Sequence, residues 1–256
     1  MIRVAAVGDI HVGLDSVGRM RPHLEHLAER ADVFLLAGDL TKRGLPEESE
    51  ALADELRGIP DSLPTFAVLG NHDYEADQEH TLVECMEGIG VRVLEGQGAV
   101  VEVDGLTVGV AGVKGFGVGF SGASATAFGE PEIKAFVRHS QDAGERLETA
   151  LESVRDCDVR IALMHYSPVE STLRGERLEI YPFLGSYHLA EAVDRVGADL
   201  AVHGHAHGGT EKGVTPGGIT VRNVAQPVLR RAYAVYCLEP GGEVSCATGT
   251  PAAATA

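Results

Sequence analysis

The chain has 256 residues, enough for one large domain or two small ones. Hydrophobic residues make up 44% and charged residues 23%, a composition that excludes a disordered chain and fits an ordinary soluble globular protein. With 21 basic against 38 acidic residues the formal net charge is −17, which argues against a broad electrostatic surface for DNA or an anionic membrane.

The first part alternates strand and helix. A strand at 2–7 precedes a helix near 19–30, where Leu24, Leu27 and Ala31 share a face. A strand at 33–37 leads to an acidic helix near 46–57, and a strand at 65–69 to a helix near 77–88. This rhythm predicts a parallel sheet with right-handed crossovers. The pattern then changes. The runs 99–103 and 106–113 flank Asp104-Gly105, a strong hairpin signal. The segment 114–130 is rich in Gly, Ser and Ala and reads as a loop. Pro131 opens a long helix with Ile133, Phe136, Val137, Leu147, Leu151 and Val154 along one stripe. A strand at 159–164, an irregular loop at 166–185, a helix between Ser186 and Gly197, and a strand at 199–202 follow. The runs 219–224, 232–238 and 243–246 suggest antiparallel strands in a second sheet packed on the first. No internal repeat or linker divides the chain. The expected unit is a single domain at 1–248, with a disordered tail at 249–256.

No basic and apolar leader precedes the first strand, and no apolar stretch reaches the ~18 residues of a membrane span. Cys85, Cys157, Cys237 and Cys246 form no CxxC pair, so zinc-knuckle and redox motifs fail. A cytoplasmic location is expected.

Five apolar runs end in Gly- and ligand-rich clusters: Gly8-Asp9-Ile10-His11, Gly38-Asp39, Gly70-Asn71-His72-Asp73, His165, and His203-Gly204-His205-Ala206-His207. Ligands of open α/β sheets bind beyond the carboxyl ends of strands, so converging strand ends would gather these groups. One carboxylate can bridge two cations, Asn71 offers a neutral carbonyl oxygen, and the histidines offer imidazole nitrogens. Mixed O/N ligation suits Mn, Fe or Zn better than Mg or Ca. Two divalent ions would reverse the negative field locally, so the acidic charge does not exclude a phosphate substrate.

These five clusters, in this order, resemble the signatures of the calcineurin-like metallophosphoesterase family over residues 1–210. The resemblance implies two facing mixed β-sheets flanked by helices, a four-layer α/β/β/α sandwich. It implies that Asp9, His11 and His207 hold a first metal, that Asn71, His165 and His205 hold a second, and that Asp39 bridges them. A metal-activated hydroxide would attack phosphorus in line. His72 resembles the catalytic His that protonates the leaving oxygen, with Asp73 orienting it by hydrogen bond. Many members carry a second Asp three residues after the bridging one, where this chain has Lys42, followed by Arg43. Either could reach a substrate phosphate, or the two could form a solvated pair. Lys42-Arg43-Gly44 and Asp73 also depart from the Ser/Thr protein phosphatase branch.

Other signals carry less. His203 reads as a satisfied strand-end residue, and His23, His26, His80, His139 and His188 as surface residues. Gly117-x-Gly119-x-x-Gly122 matches a dinucleotide fingerprint by letters only, lacking a βαβ setting; it reads as a flap or a surface connection. Gly-x-Ser-x-Gly is absent, and Ser167 follows a ligand candidate. Arg174, Arg177 and Tyr181 stand in a loop that shapes substrate access or only connects. The expected function is hydrolysis of a small phosphoester, with preference for a phosphodiester or nucleotide. A nuclease and an inactive metal-binding scaffold are the alternatives. An acidic chain makes nucleic acid a poor partner, and the retained ligands and His72 count against the scaffold.

Overall fold

The computed structural model describes residues 1–242 and 244–246. Glu243, expected in a strand, and the expected tail at 249–256 lie outside these residues. Strand alternation builds the first sheet. Along β1 (Ile2–Val7), Ile2, Val4 and Ala6 turn to one face and Ala5 and Val7 to the other, all fully buried, as extended backbone requires. Two single turns, α1 (Arg21–Leu24) and α2 (Leu27–Arg30), replace the helix expected at 19–30, because the chain leaves helical geometry at His26 (φ −116°, ψ 21°). β2 (Val33–Ala37) pairs in parallel with β1. α3 (Pro46–Leu56) begins on proline, and its buried Glu55 accepts from the backbone amides of Gly18, Met20 and Arg21, tying down the loop after β1. β3 (Thr65–Val68) pairs in parallel with β2; α4 (Glu79–Glu87) then leads to the short β4 (Arg92–Val93), parallel to β3.

The second sheet starts with the expected hairpin, β5 (Gln97–Val103) and β6 (Leu106–Val113). Its turn residues Asp104 and Gly105 have φ of 49° and 79°, the left-handed pair of a type I′ turn. The expected loop at 114–130 contains a second small hairpin, β7 (Gly119–Phe120) and β8 (Ala123–Ser124), so the glycine fingerprint forms a turn rather than a helix start. The long helix is α5 (Pro131–Ser153), followed by β9 (Val159–Met164). The loop at 166–185 holds two 3-10 turns and one helical turn, α6 (Tyr181–Leu184). α7 (Tyr187–Val196) has the expected ends: Ser186 Oγ accepts from the His188 amide at 3.2 Å, and Gly197 takes φ 92°. β10 (Leu200–His203), β11 (Lys212–Val214), β12 (Thr220–Asn223), the turn α8 (Gln226–Leu229), β13 (Ala234–Leu238) and β14 (Ser245–Cys246) complete the described chain.

The two sheets run β14-β13-β1-β2-β3-β4 and β11-β12-β10-β9-β6-β5. The last stretch therefore divides, contrary to expectation. β12 lies parallel to β10 in the second sheet, whereas β13 crosses to the first and runs antiparallel to β1. The crossing is stitched by Val224, whose N–H donates to the His203 carbonyl and whose carbonyl accepts from Gly8. Strand periodicity does not encode which sheet a strand joins. Between the sheets, Val4, Leu35 and Phe66 meet Val110, Ile161 and Val202. Outside the first sheet, Val7 and Phe34 lie under Leu24, Leu52 and Leu82; outside the second, Ala111 and Met164 lie under Leu147, Leu151 and Leu189. The result is the expected four-layer α/β/β/α sandwich. Among the described residues no helix is long and apolar enough to cross a membrane. The carboxyl ends of β1, β2, β3, β9 and β10 carry Asp9, Asp39, Asn71, His165 and His205 into the loops beyond them.

Candidate metal centre

The loops leaving the strands are bent into an uncommon backbone region. Asp9 (φ 56°), His11 (φ 43°), Asp39 (φ 49°) and His205 (φ 68°) are left-handed. Non-glycine residues rarely adopt that conformation, and it concentrates at functional sites. The first two loops brace each other, with the Asp9 amide donating to the Gly38 carbonyl at 2.9 Å and the His11 amide to the Asp39 carbonyl at 3.1 Å. Two motif glycines are needed for close approach: a Cβ on Gly70 would overlap the Asp39 carboxylate, and one on Gly204 the Asp9 carboxylate.

The side chains form two adjoining groups. In the first, Asp9, His11, Asp39 and His207 each bring one ligand atom within 4.8 Å of the others. His207 Nε2 lies 2.8 Å from Asp9 Oδ1 and 3.5 Å from His11 Nε2. In the second, Asp39, His165 and His205 meet the same limit, and Asn71 Oδ1 is 3.0 Å from His165 Nε2. Asp39 belongs to both groups: its Oδ2 is 3.9 Å from His11 Nε2 and its Oδ1 is 3.3 Å from His165 Nε2.

Backbone carbonyls fix the imidazole tautomers. A carbonyl only accepts, so Nδ1 of His165 donates to Ala37 at 2.9 Å and Nε2 of His205 donates to Phe183 at 3.1 Å. Burial holds His165 well below the usual imidazole range and His205 down to about 3, the neighbouring His165 adding to the second shift. Both rings are therefore neutral, with lone pairs on His165 Nε2 and His205 Nδ1. Three acceptors, His165 Nε2, Asn71 Oδ1 and Asp39 Oδ1, then crowd together with no proton between them. A cation resolves that arrangement, so the donor set fits a metal. The carboxylates call for the same partner. Burial, with the charge of Asp39 adding to it, pushes Asp9 up to about 6, against the hydrogen bond from His207. That hydrogen bond in turn raises His207, while burial lowers His11.

His72 stands beside both groups without joining either. Its backbone amide donates to Asp39 Oδ1 at 2.9 Å, its ring lies 4.7 Å from that of His11, and its Nδ1 donates to the Lys42 carbonyl at 2.9 Å. The expected hydrogen bond between Asp73 and His72 is replaced by another set. The Asp73 carboxylate turns inward, fully buried, and accepts from Leu40 N (3.2 Å), Thr41 N (2.8 Å), Thr41 Oγ1 (2.7 Å) and Gly70 N (2.8 Å). The two residues are adjacent on a 3-10 turn, so their side chains diverge. Asp73 braces the loops that carry Asp39 and Asn71.

Lys42 pairs with Asp15 at 2.8 Å on the surface. His203 is fully buried and donates from Nδ1 to the Gly204 carbonyl at 2.7 Å, its Nε2 lying 2.9 Å from Thr172 Oγ1; it supports the loop that carries His205 and His207. His23, His26, His80 and His139 are exposed as expected. His188 is not, because it packs between α5 and Tyr187, against the close approach of Gly144. The contributions that side-chain type could not announce are the carbonyls of Ala37, Lys42 and Phe183.

Two ligand groups sharing one carboxylate, set at the strand ends of a two-sheet sandwich, define a candidate dinuclear metal centre. The family model for calcineurin-like phosphoesterases matches residues 2–209, and the chain belongs to that family of ester-bond hydrolases. Phosphodiesterase YaeI of Escherichia coli (strain K12) is 31% identical over 77 residues, which make up 29% of this chain and 28% of that protein. Among solved structures, the phosphopantetheinyl hydrolase of Mycobacterium tuberculosis is 17% identical with a TM-score of 0.62, covering 99% of this chain and 98% of that one. The protein TT1561 of Thermus thermophilus is 18% identical with a TM-score of 0.60, covering 96% and 98%. At these identities the two structures show a shared fold.

Proposed function

We propose that this protein hydrolyses small phosphoesters, with a phosphodiester or small nucleotide as its substrate, at two divalent metal ions held by the seven residues expected as ligands. The observation that carries the reading is the shared Asp39 carboxylate, with one oxygen facing His165 and the other facing His11. Asp9, His11 and His207 would hold one ion, and Asn71, His165 and His205 the other. When bound, such ions polarise phosphoryl oxygens and activate water as a nucleophile.

The chain's own groups do the rest. The backbone contacts of His72 and Asp73 keep the Asp39 and Asn71 loops in register. Nδ1 of His72 is committed to the Lys42 carbonyl, which leaves Nε2, in the imidazolium form of the ring, to give its proton to the departing oxygen. The phosphodiester preference is supported by the name of the YaeI relative and decides the first probe. Bis(p-nitrophenyl) phosphate should be hydrolysed with Mn(II) present and not with EDTA. A metal-loaded protein that turns over neither this diester nor p-nitrophenyl phosphate would refute the reading and favour a scaffold.

A further inference from the structure

One cation beside the metal centre has no part in it. Lys114 follows the last residue of β6, whose Val113 pairs with Met164, so it stands abreast of His165. Its carbonyl accepts from the amides of both His165 (3.0 Å) and Tyr166 (3.1 Å), which locks its position to the ligand-bearing strand end. Its ammonium group lies 4.8 Å from the ring centre of Tyr74, 5.4 Å from that of Phe116 and 5.6 Å from that of Tyr166. Two of these rings belong to the site's own loops: Tyr74 is two residues from His72, and Tyr166 follows His165 with its ring 4.4 Å from His205.

The rings hold the ammonium in place by cation–π attraction but supply no acceptor for its three N–H donors. Among the described residues Nζ forms no hydrogen bond or ion pair, and the hydroxyls of Tyr74 and Tyr166 form no hydrogen bond. The nearby carboxylate is already engaged, since Glu95 accepts from the Lys114 backbone amide at 2.9 Å and pairs with Arg146 at 3.1 Å. A half-buried ammonium held by rings alone keeps its N–H donors open to an incoming anion.

The geometry points to Lys114, in its cage of Tyr74, Phe116 and Tyr166, as a specificity-determining residue that binds a second anionic group of the substrate, a phosphate or carboxylate beyond the phosphoryl at the metals. The inference rests on the proposed phosphoesterase site and narrows its substrate class to phosphoesters carrying a further negative charge. A diester with no anionic group beyond its phosphoryl would leave the ammonium uncompleted.

Calorimetric binding to the Mn-loaded protein tests this without turnover. The probes are methylphosphonate, which offers one anionic head, and phosphonocarboxylates with two to four carbons, which offer a second. Wild-type protein should bind the best-fitting phosphonocarboxylate about tenfold tighter than methylphosphonate, the size of one charge-assisted hydrogen bond. In Lys114→Met that ratio should fall towards one, and Lys114→Arg should recover part of it. The ratio is the readout, so a general weakening of the site does not imitate the result. Equal binding of both classes to wild-type protein, or a ratio that survives Lys114→Met, overturns the inference. Lysine-dependent discrimination in a protein that hydrolyses no ester would sustain the anion site and refute only the hydrolase reading.

Discussion

The imidazole of His72 donates from Nδ1 to the carbonyl of Lys42 at 2.9 Å. The ring is thus oriented by backbone, and its second nitrogen is left free for chemistry. His72→Ala should keep both metals while turnover on an aryl diester falls by about 10²–10⁴, the usual worth of a positioned general acid. Metal content by mass spectrometry and kcat on the same sample decide it. Loss of a metal would make His72 a ligand instead.

Asp73 should behave differently. Asp73→Ala would strand three backbone N–H groups and a hydroxyl in the interior, at roughly 1–3 kcal/mol for each donor left without a partner. The expected result is destabilisation by at least about 2 kcal/mol in denaturant unfolding of the metal-free protein, together with weaker metal binding. A variant as stable as wild type, with only kcat reduced, would restore the orienting role first expected from the sequence.

Gly204 lies against the carboxylate of Asp9, where an added methyl group has no room and would also meet the Ala37 carbonyl at 2.8 Å. Gly204→Ala should therefore displace Asp9 and empty the Asp9–His11–His207 position first. One metal per chain, where two are expected of the wild type, is the predicted stoichiometry. Two metals bound with unchanged affinity would show that the loop yields.

Protons should compete with metal at this site. The folded-state pKa of Asp9, about 6, lies above its ordinary 3.8. Its contribution to stability is therefore present below the lower value and lost as pH rises through the higher one. The same sign holds for His207, raised first by its hydrogen bond to Asp9. Above these values the site is deprotonated and ready for cations, which then restore what the protons gave. The rise in Tm on adding Mn(II) should be larger at pH 7.5 than at pH 5.5. An equal rise at both would mean that neither group takes part in binding.

The gathering of the candidate ligands was legible because each member sits where an apolar run stops, and hydrophobic patterning marks strand ends well. The Asp104-Gly105 hairpin and the Ser186 and Gly197 helix ends were legible for a related reason, since those residue types fit few conformations. The partner of Asp73 was not, because neighbours on a tight turn diverge in ways that spacing does not reveal. Nor were the carbonyls of Ala37, Lys42 and Phe183, since every residue carries one. β13 was assigned to the wrong sheet because pairing is settled by contacts among distant strands. Lys114 gave no signal in a glycine-rich segment, its meaning arising only when β6 and β9 come side by side.

In the proposed site, Asp39 joins two metal positions. Crystals grown with Mn(II) and measured near the manganese absorption edge test it most directly. Two anomalous peaks about 3.5–4 Å apart, with one oxygen of Asp39 facing each, are expected. A single peak, or two that do not share Asp39, would contradict it.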